Sequence, residues 1–272
     1  MPELPEVETI ARGLARRIIG EAIESVWIGQ RSQPLKSPAK EIARTLTGKR
    51  ITAVRRMGKH IVIDLETPNG APRPAQWIVH LGMTGRLLVC QPSDAVEKHT
   101  HLVAHLASGR ELRFVDPRMF GKLSVVRGNG FTTAGSEPLD IGFELFAGLF
   151  RGRRTPMKSA LLNQKLLRGV GNIYADESLF RAGVRPRRRA ARVRRDEMQR
   201  LFDGLQAVLN EAIAAGGSSV SDYVDANGDA GFFQLEHRVY GREGEPCLVC
   251  GTAIKRVVIG GRSSHYCPRC QK

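Results

Sequence analysis

"RGNGFTTAGSEPLD", Arg127 to Asp140, is the stretch on which the reading of this fold turns. It gathers Gly, Asn, Ser, Thr and Pro, carries no apolar period, and so has the composition of a linker. On its N-terminal side, from about Ala22 to Val126, the chain is written in short β-branched runs broken by Gly, Pro and Asn. These are "ESVWIG", "ITAVRRMGKHIVIDL", "AQWIVHLGMTGRLLVC", "THLVAHLASGRELRFV" and "GKLSVVRG". Such runs are strands, with "MGKH" and "SGRE" as hairpin turns. Many short strands with little helix between them predict a sandwich or barrel rather than a parallel sheet.

On the C-terminal side the period becomes helical. "DIGFELFAGLF" has Asp140 as a candidate N-cap, and "TPMKSALLNQKLL" has Thr155 as a cap with Pro156 at the first helical position. "GVGNIYADESLFRAG" is a Gly-rich approach to an apolar-faced helix. "RRDEMQRLFDGLQAVLNEAIAAGG" is long and amphipathic, with Leu201, Leu205, Val208, Leu209 and Ala212 on one face and Gly216–Gly217 as its stop. One further helix leads the chain. Pro5 fixes φ in its first turn, Glu6 complements its dipole, and Val7, Ile10, Leu14 and Ile18 recur at helical spacing. The expected class is therefore α+β: a leading helix and a β-rich half, then a helical half, then a Cys-rich tail.

The tail carries four of the five cysteines, as Cys247-x-x-Cys250 and Cys267-x-x-Cys270 with 16 residues between the pairs. Each pair can clamp one side of a tetrahedral ion, and the intervening stretch is long enough for a β-hairpin. Four thiolates leave no position for a catalytic water, so the expected cofactor is one structural Zn²⁺. His265, beside a complete Cys₄ set, is expected to be an exposed histidine rather than a ligand. Cys90, in an apolar strand-like run, is expected to be a buried small hydrophobe. At the hairpin's turn stand Gly260, Gly261, Arg262 and Ser263. A metal-stapled turn that fixes one Arg suits phosphate contact, although a solvated tip has the same composition.

The chain has 272 residues, 42% of them hydrophobic, a formal net charge of +15 and a pI near 10.2. No run of about 18 apolar residues could span a bilayer, and no basic start followed by an apolar run marks a secretory signal. A soluble, intracellular protein that is not secreted is expected. The cationic excess favours a polyanion such as nucleic acid, through Coulomb attraction and counterion release. Arg181, Arg185, Arg187, Arg188, Arg189, Arg192, Arg194, Arg195 and Arg200 crowd together, which supports that partner without locating its site.

The helix start does not account for Pro2 and Glu3. If Met1 is removed, the chain begins with a secondary amine, and an α-amino group has a pKa of roughly 7.7–8. Its attack on a sugar C1′ would give a cationic iminium, an electron sink for covalent catalysis, with Glu3 placed to move protons. An N-terminal Pro without any catalytic role remains the competing reading of these residues alone.

"MPELPEVET", "HLGMTG" (His80 to Gly85), "DPRMFG" (Asp116 to Gly121), "GVGNIYADESLFRAG" (Gly169 to Gly183) and "VYGREGEPCLVCG…GGRSSHYCPRCQ" occur in that order across the whole chain. Together they resemble the bacterial formamidopyrimidine-DNA glycosylase family, which excises 8-oxoguanine. The related endonuclease VIII branch typically has Gly where this chain has Leu4, so the purine-lesion branch is favoured. The resemblance implies an N-terminal catalytic β-sandwich domain over residues 1–130, a helix–two-turns–helix DNA-binding domain over 136–235 and a zinc finger over 236–272. It implies a bifunctional enzyme: base excision through a proline Schiff base, then β,δ-elimination by an abasic-site lyase.

By motif, Pro2 would be the nucleophile, Glu3 the proton donor that opens the sugar, and Glu6 a helper. Lys59 would lie near the reacting sugar, and Arg262 would contact phosphate and serve the final elimination. Met83, Arg118 and Phe120 resemble the set that fills the gap left by a flipped base, a gap whose opening costs a few kcal/mol. Asn172, His99 and Arg153 match further DNA contacts, and Gly216 to Gln234 would include the loop over the flipped base. Met119 and Gly261 depart from the family pattern, where Arg or Lys and Gln respectively are common. The implied partner is duplex DNA with oxidised bases or abasic sites, bound by a cytoplasmic, nucleoid-associated monomer. Two readings compete: an oxidised-pyrimidine glycosylase of the endonuclease VIII type, and a zinc-dependent DNA-binding protein without chemistry.

Overall fold

In the computed structural model, which describes residues 1–68, 74–219, 225, 226 and 228–272, the chain forms two units. One is Met1–Thr132 with Gly216–Gly231, the other Thr133–Ala215 with Phe232–Lys272. Among the described residues, no helix is long and apolar enough to cross a membrane.

Helix α1 (Leu4–Ile18) starts with Pro5 in its first turn and buries Val7, Ile10, Leu14 and Ile18, as the spacing predicts. The strands of this unit are β1 (Ile23–Ile28), β2 (Arg50–Met57), β3 (His60–Glu66), β4 (Ala75–His80), β5 (Arg86–Cys90), β6 (Thr100–Leu106), β7 (Glu111–Val115) and β8 (Lys122–Arg127). They form two four-stranded antiparallel sheets, ordered β1-β6-β7-β5 and β2-β3-β4-β8. Alternation decides which residues face inward: Ile61, Ile63 and Leu65 from one sheet share a core with Leu102, Ala104, Leu106, Leu112 and Phe114 from the other. Trp77, Ile10 and Leu14 complete it, each fully or almost fully buried and stabilising by about 1.5–3 kcal/mol.

Helix α2 (Ala39–Leu46) interrupts the strands and was not expected from the sequence. It buries only Ile42 and Leu46, too few positions to announce a period. Cys90 ends β5 half-buried rather than buried, because the strand stops there and the side chain is left at its margin.

In the second unit α3 (Phe143–Phe150) begins after Gly142, not Asp140, whose N–H is bonded to the Glu137 carbonyl in a preceding turn. Helix α4 (Met157–Leu161) takes Pro156 as its N-cap, one position later than the sequence suggests. Helix α5 (Asn172–Ala182) ends at Gly183 in the left-handed conformation, φ 70°, and α6 (Arg195–Ala214) runs to the expected glycines. Tyr174, Leu179, Leu201, Leu205 and Leu209 are fully buried in this unit. Strands β9 (Lys255–Ile259) and β10 (Arg262–Tyr266) make the hairpin between the cysteine pairs.

Candidate functional site

Pro2, Glu3 and Glu6 are all buried at the start of α1, the two carboxylates only 4% and 2% exposed. Glu3 N–H donates to Glu6 Oε2 at 2.8 Å, and Ser218 N–H donates to Glu6 Oε1 at 2.9 Å. Glu6 therefore does more than complement a helix dipole: it bridges the N-terminal turn to the segment after α6.

Lys59 follows Gly58 in the two-residue turn between β2 and β3, where Gly58 has φ 59°. Arg56 ties that turn to α1, donating to Glu8 at 2.7 Å and to the Gly58 carbonyl at 3.4 Å. His60, next to Lys59, faces His80 across the strands with ring centroids 5.0 Å apart. His80 is held down to about 4, first by burial and then by His60, Lys59, Lys122 and Lys36. Its Nδ1 accepts the Gly82 N–H at 3.2 Å, which requires the neutral ring. Sequence reasoning missed this pair, because a histidine in each strand is its only linear trace.

Met83 and Phe120 are 38% and 52% exposed, so neither is core packing. Arg118 is also exposed, with its guanidinium 4.9 Å from the Phe120 ring centroid. Asp116, fully buried, organises the two loops that carry them. It accepts from Thr84 Oγ1 at 2.6 Å, Gly121 N–H at 2.7 Å and Arg118 N–H at 3.3 Å. A Cβ on Gly82, whose φ is 65°, would lie 2.5 Å from Gly121 N, so only glycine permits this approach. Met119 has φ 56°, a left-handed conformation that costs an L-residue about 1–2 kcal/mol. His99 is half-buried beside this loop, its carbonyl accepting the Asp116 N–H at 3.0 Å. The preceding loop hangs on buried Arg113, which donates to the carbonyls of Gln91, Asp94 and Ala95.

Of the loop expected over a flipped base, residues 220–224 and 227 lie outside the described residues. Ala226 is buried against Gly13, with its carbonyl accepting from Arg17 at 3.2 Å.

In the second unit Asn172 opens α5 behind Gly171, and its Oδ1 is buried with no hydrogen-bond partner among the described residues. The turn before it is clamped by Gln164, which accepts from Gly169 N–H at 2.9 Å and donates to the Val170 carbonyl at 2.7 Å. A helix start of this kind suits an anion. Arg153 is exposed and spends its Nε on the Leu149 carbonyl at 2.6 Å, closing α3.

Cys247, Cys250, Cys267 and Cys270 place their sulfurs within 4.8 Å of one another, with Cys247–Cys270 at 3.9 Å and Cys250–Cys267 at 3.5 Å. A tetrahedral zinc with Zn–S of about 2.3 Å sets its sulfurs about 3.8 Å apart, so the cluster fits. Cys250 is drawn down to about 6 by its hydrogen bond with Thr252, whereas burial and the neighbouring sulfurs push Cys267 and Cys270 up. Four such sulfurs cannot all be thiolates without a cation among them. The four cysteines fit one structural zinc ion.

His265 is not exposed, as the sequence reading expects, but 6% accessible. It lies on β10, its N–H bonded to Asp176 and its ring against Tyr240, outside the sulfur cluster. Gly260 and Gly261 make the turn, both at positive φ, and Arg262 is the exposed first residue of β10. Gly261 adopts φ 74°, a conformation that favours glycine.

Three domain families match in register: the formamidopyrimidine-DNA glycosylase N-terminal domain over residues 1–123, the formamidopyrimidine-DNA glycosylase H2TH domain over 134–224, and the zinc finger found in FPG and IleRS over 244–272. The chain is 47% identical to a formamidopyrimidine-DNA glycosylase of Solibacter usitatus and 42% to one of Desulfitobacterium hafniense, each match covering 100% of both chains. It is similar in structure to a Lactococcus lactis FPG mutant in complex with Fapy-dG-containing DNA, with TM-score 0.91, 32% identity and 100% coverage of both chains. It also resembles MutM (FPG) of Thermus thermophilus, with TM-score 0.86, 38% identity and coverage of 99% and 98%.

Proposed function

The chain belongs to the formamidopyrimidine-DNA glycosylase family, and from that premise we propose that Pro2 is the nucleophile with which it removes oxidised purines from DNA. Members of this family are DNA glycosylases and abasic-site lyases, and solved relatives hold Fapy-dG-containing and abasic-site DNA.

Once Met1 is removed, the Pro2 nitrogen attacks C1′ of the damaged nucleotide. The C1′–base bond breaks and its electron pair leaves with the base. Glu3 gives a proton to the ring oxygen as the C1′–O4′ bond opens, leaving an iminium at C1′. That cation acidifies C2′–H. Loss of this proton forms the C2′=C3′ double bond and expels the 3′ phosphate, and loss of the C4′ proton then expels the 5′ phosphate. Hydrolysis of the iminium frees Pro2.

Lys59 holds a phosphate or passes a proton at the sugar. Met83, Arg118 and Phe120 take the place of the extruded nucleotide, and their exposure leaves them available for it. His99, Arg153 and Asn172 grip phosphates, and Arg262 contacts phosphate and serves the final elimination. The zinc ion, bound by the four cysteines, braces the hairpin and takes no part in the chemistry. Catalysis is assigned to residues 1–130, DNA grip to the helices within 136–235, and the braced arginine to 236–272, while Gly216–Gly231 packs with the first of these. The working form is a cytoplasmic monomer on duplex DNA beside the nucleoid.

The observation that carries this reading is the buried Pro2-Glu3-Glu6 start, where the side chains of Glu3 and Glu6 are drawn inside. Borohydride reduction of enzyme with 8-oxoguanine duplex is the test. Wild-type protein with Met1 absent by intact mass is expected to become covalently linked to DNA, and Pro2→Gly is expected to lose most base excision, with duplex affinity within several-fold. Full excision by Pro2→Gly would end the assignment. Faster release of thymine glycol than of 8-oxoguanine opposite C would favour the pyrimidine branch instead.

A further inference from the structure

We propose that the buried ion pair of Lys158 and Asp176 is a positioning device for Arg262, fixing the zinc hairpin in register so that the exposed guanidinium is presented at one place. The proposal rests on the role given to Arg262 above. Lys158, in α4, and Asp176, in α5, are both fully buried, with Nζ 2.7 Å from Oδ1. Removing two charges from water costs more than an apolar pair of similar shape would, so stability alone does not account for them.

Both groups also bond to the hairpin. Lys158 Nζ donates to the Ser263 carbonyl at 2.6 Å, and Asp176 Oδ2 accepts the His265 N–H at 2.9 Å. These two bonds grip backbone groups two residues apart on β10, and the first belongs to the residue that follows Arg262. On the other side of the turn, a Cβ on Gly260 would lie 3.1 Å from Ser159 Oγ, so the residue next to Lys158 packs against the tip. Two smaller bonds complete the grip: Ser264 Oγ donates to the Arg262 carbonyl at 3.3 Å, and Arg256 donates to Ser263 Oγ at 2.9 Å. The cysteines hold the hairpin at its base. The ion pair holds it beside the turn, where the zinc does not reach. Apolar contacts could slide by one residue. A cation on a carbonyl and a carboxylate on an N–H cannot, because any shift along β10 breaks both bonds and leaves buried charge without them.

The test is a double-mutant cycle. Single-turnover excision of 8-oxoguanine is measured for Lys158→Met and Arg262→Ala, alone and together, with zinc content determined for each. Lys158→Met/Asp176→Asn is included so that no unpaired charge stays buried if the single variant folds poorly. The Lys158 variants are expected to keep one zinc and to slow excision at least tenfold. In the Arg262→Ala background the same changes are expected to cost twofold or less. A merely structural pair would slow both backgrounds equally. Equal losses in both backgrounds, or a zinc-loaded Lys158→Met/Asp176→Asn protein with wild-type excision, would overturn the proposal. An Arg262→Ala protein that matches wild type in excision and also in the final elimination would instead overturn the role of Arg262 itself.

Discussion

Glu6 is read from the sequence as part of a helix start, and its spacing justifies that much. Only its contacts reveal the second task, because Ser218 lies 212 residues away and no local pattern could pair them. Glu6→Ala strips acceptors from two buried N–H groups, each worth about 1–3 kcal/mol when left unpaired. We expect a loss of about 2–4 kcal/mol in urea unfolding of that protein, and a smaller loss for Glu6→Gln, which keeps an acceptor. His80 makes a pH-dependent contribution of definite sign. Its folded value of about 4 lies below the ordinary 6.5, so the unfolded chain binds a proton that the folded unit refuses. The stability due to the neutral ring is complete above about pH 6.5 and is lost as pH falls toward 4, by up to about 3 kcal/mol. His237, buried in the other unit and also held to about 4, acts in the same direction. NMR titration of the imidazoles should place His80 near 4, and His80→Gln should flatten that part of the stability profile.

At the scale of elements, strand and helix periods were legible because one face of each is buried. The short helix α2 and the helix starts at Gly142 and Pro156 were not, because few residues or a single turn decided them. The two loops around Asp116 are the instructive case. Their motifs are visible in the chain, but that Met83 and Phe120 project outward follows from the glycine contact and from the bonds to Asp116. Gly82→Ala combines left-handed strain with a collision against the Phe120–Gly121 backbone. We expect it to destabilise the protein by roughly 2–4 kcal/mol in urea unfolding. Met83→Ala removes an exposed side chain instead. It should leave the unfolding midpoint within about 2 °C of wild type while slowing excision in single-turnover assays.

For the whole molecule, the division into two units offers a clean separation of effects. Both tryptophans, Trp27 and Trp77, belong to the first unit, and all four zinc-binding cysteines belong to the second. Zinc binding at such a site is folding free energy for the finger. Chelation is expected to release one zinc per chain and to weaken duplex affinity at least tenfold, while tryptophan emission stays unchanged. A shift in that emission on zinc loss, measured before any aggregation, would contradict this independence.

The sequence by itself determined the order of strand and helix regions, the four-cysteine zinc site, the cationic character and the motifs of the family, because each of these is a matter of period, spacing or composition. The tertiary structure decided the rest. It set Glu6 between Glu3 and Ser218, turned His265 inward, returned Gly216–Gly231 to the N-terminal unit, and closed a buried Lys158–Asp176 pair on the hairpin. Those outcomes depend on partners tens to hundreds of residues apart. A linear pattern records which groups need partners, and only packing selects them.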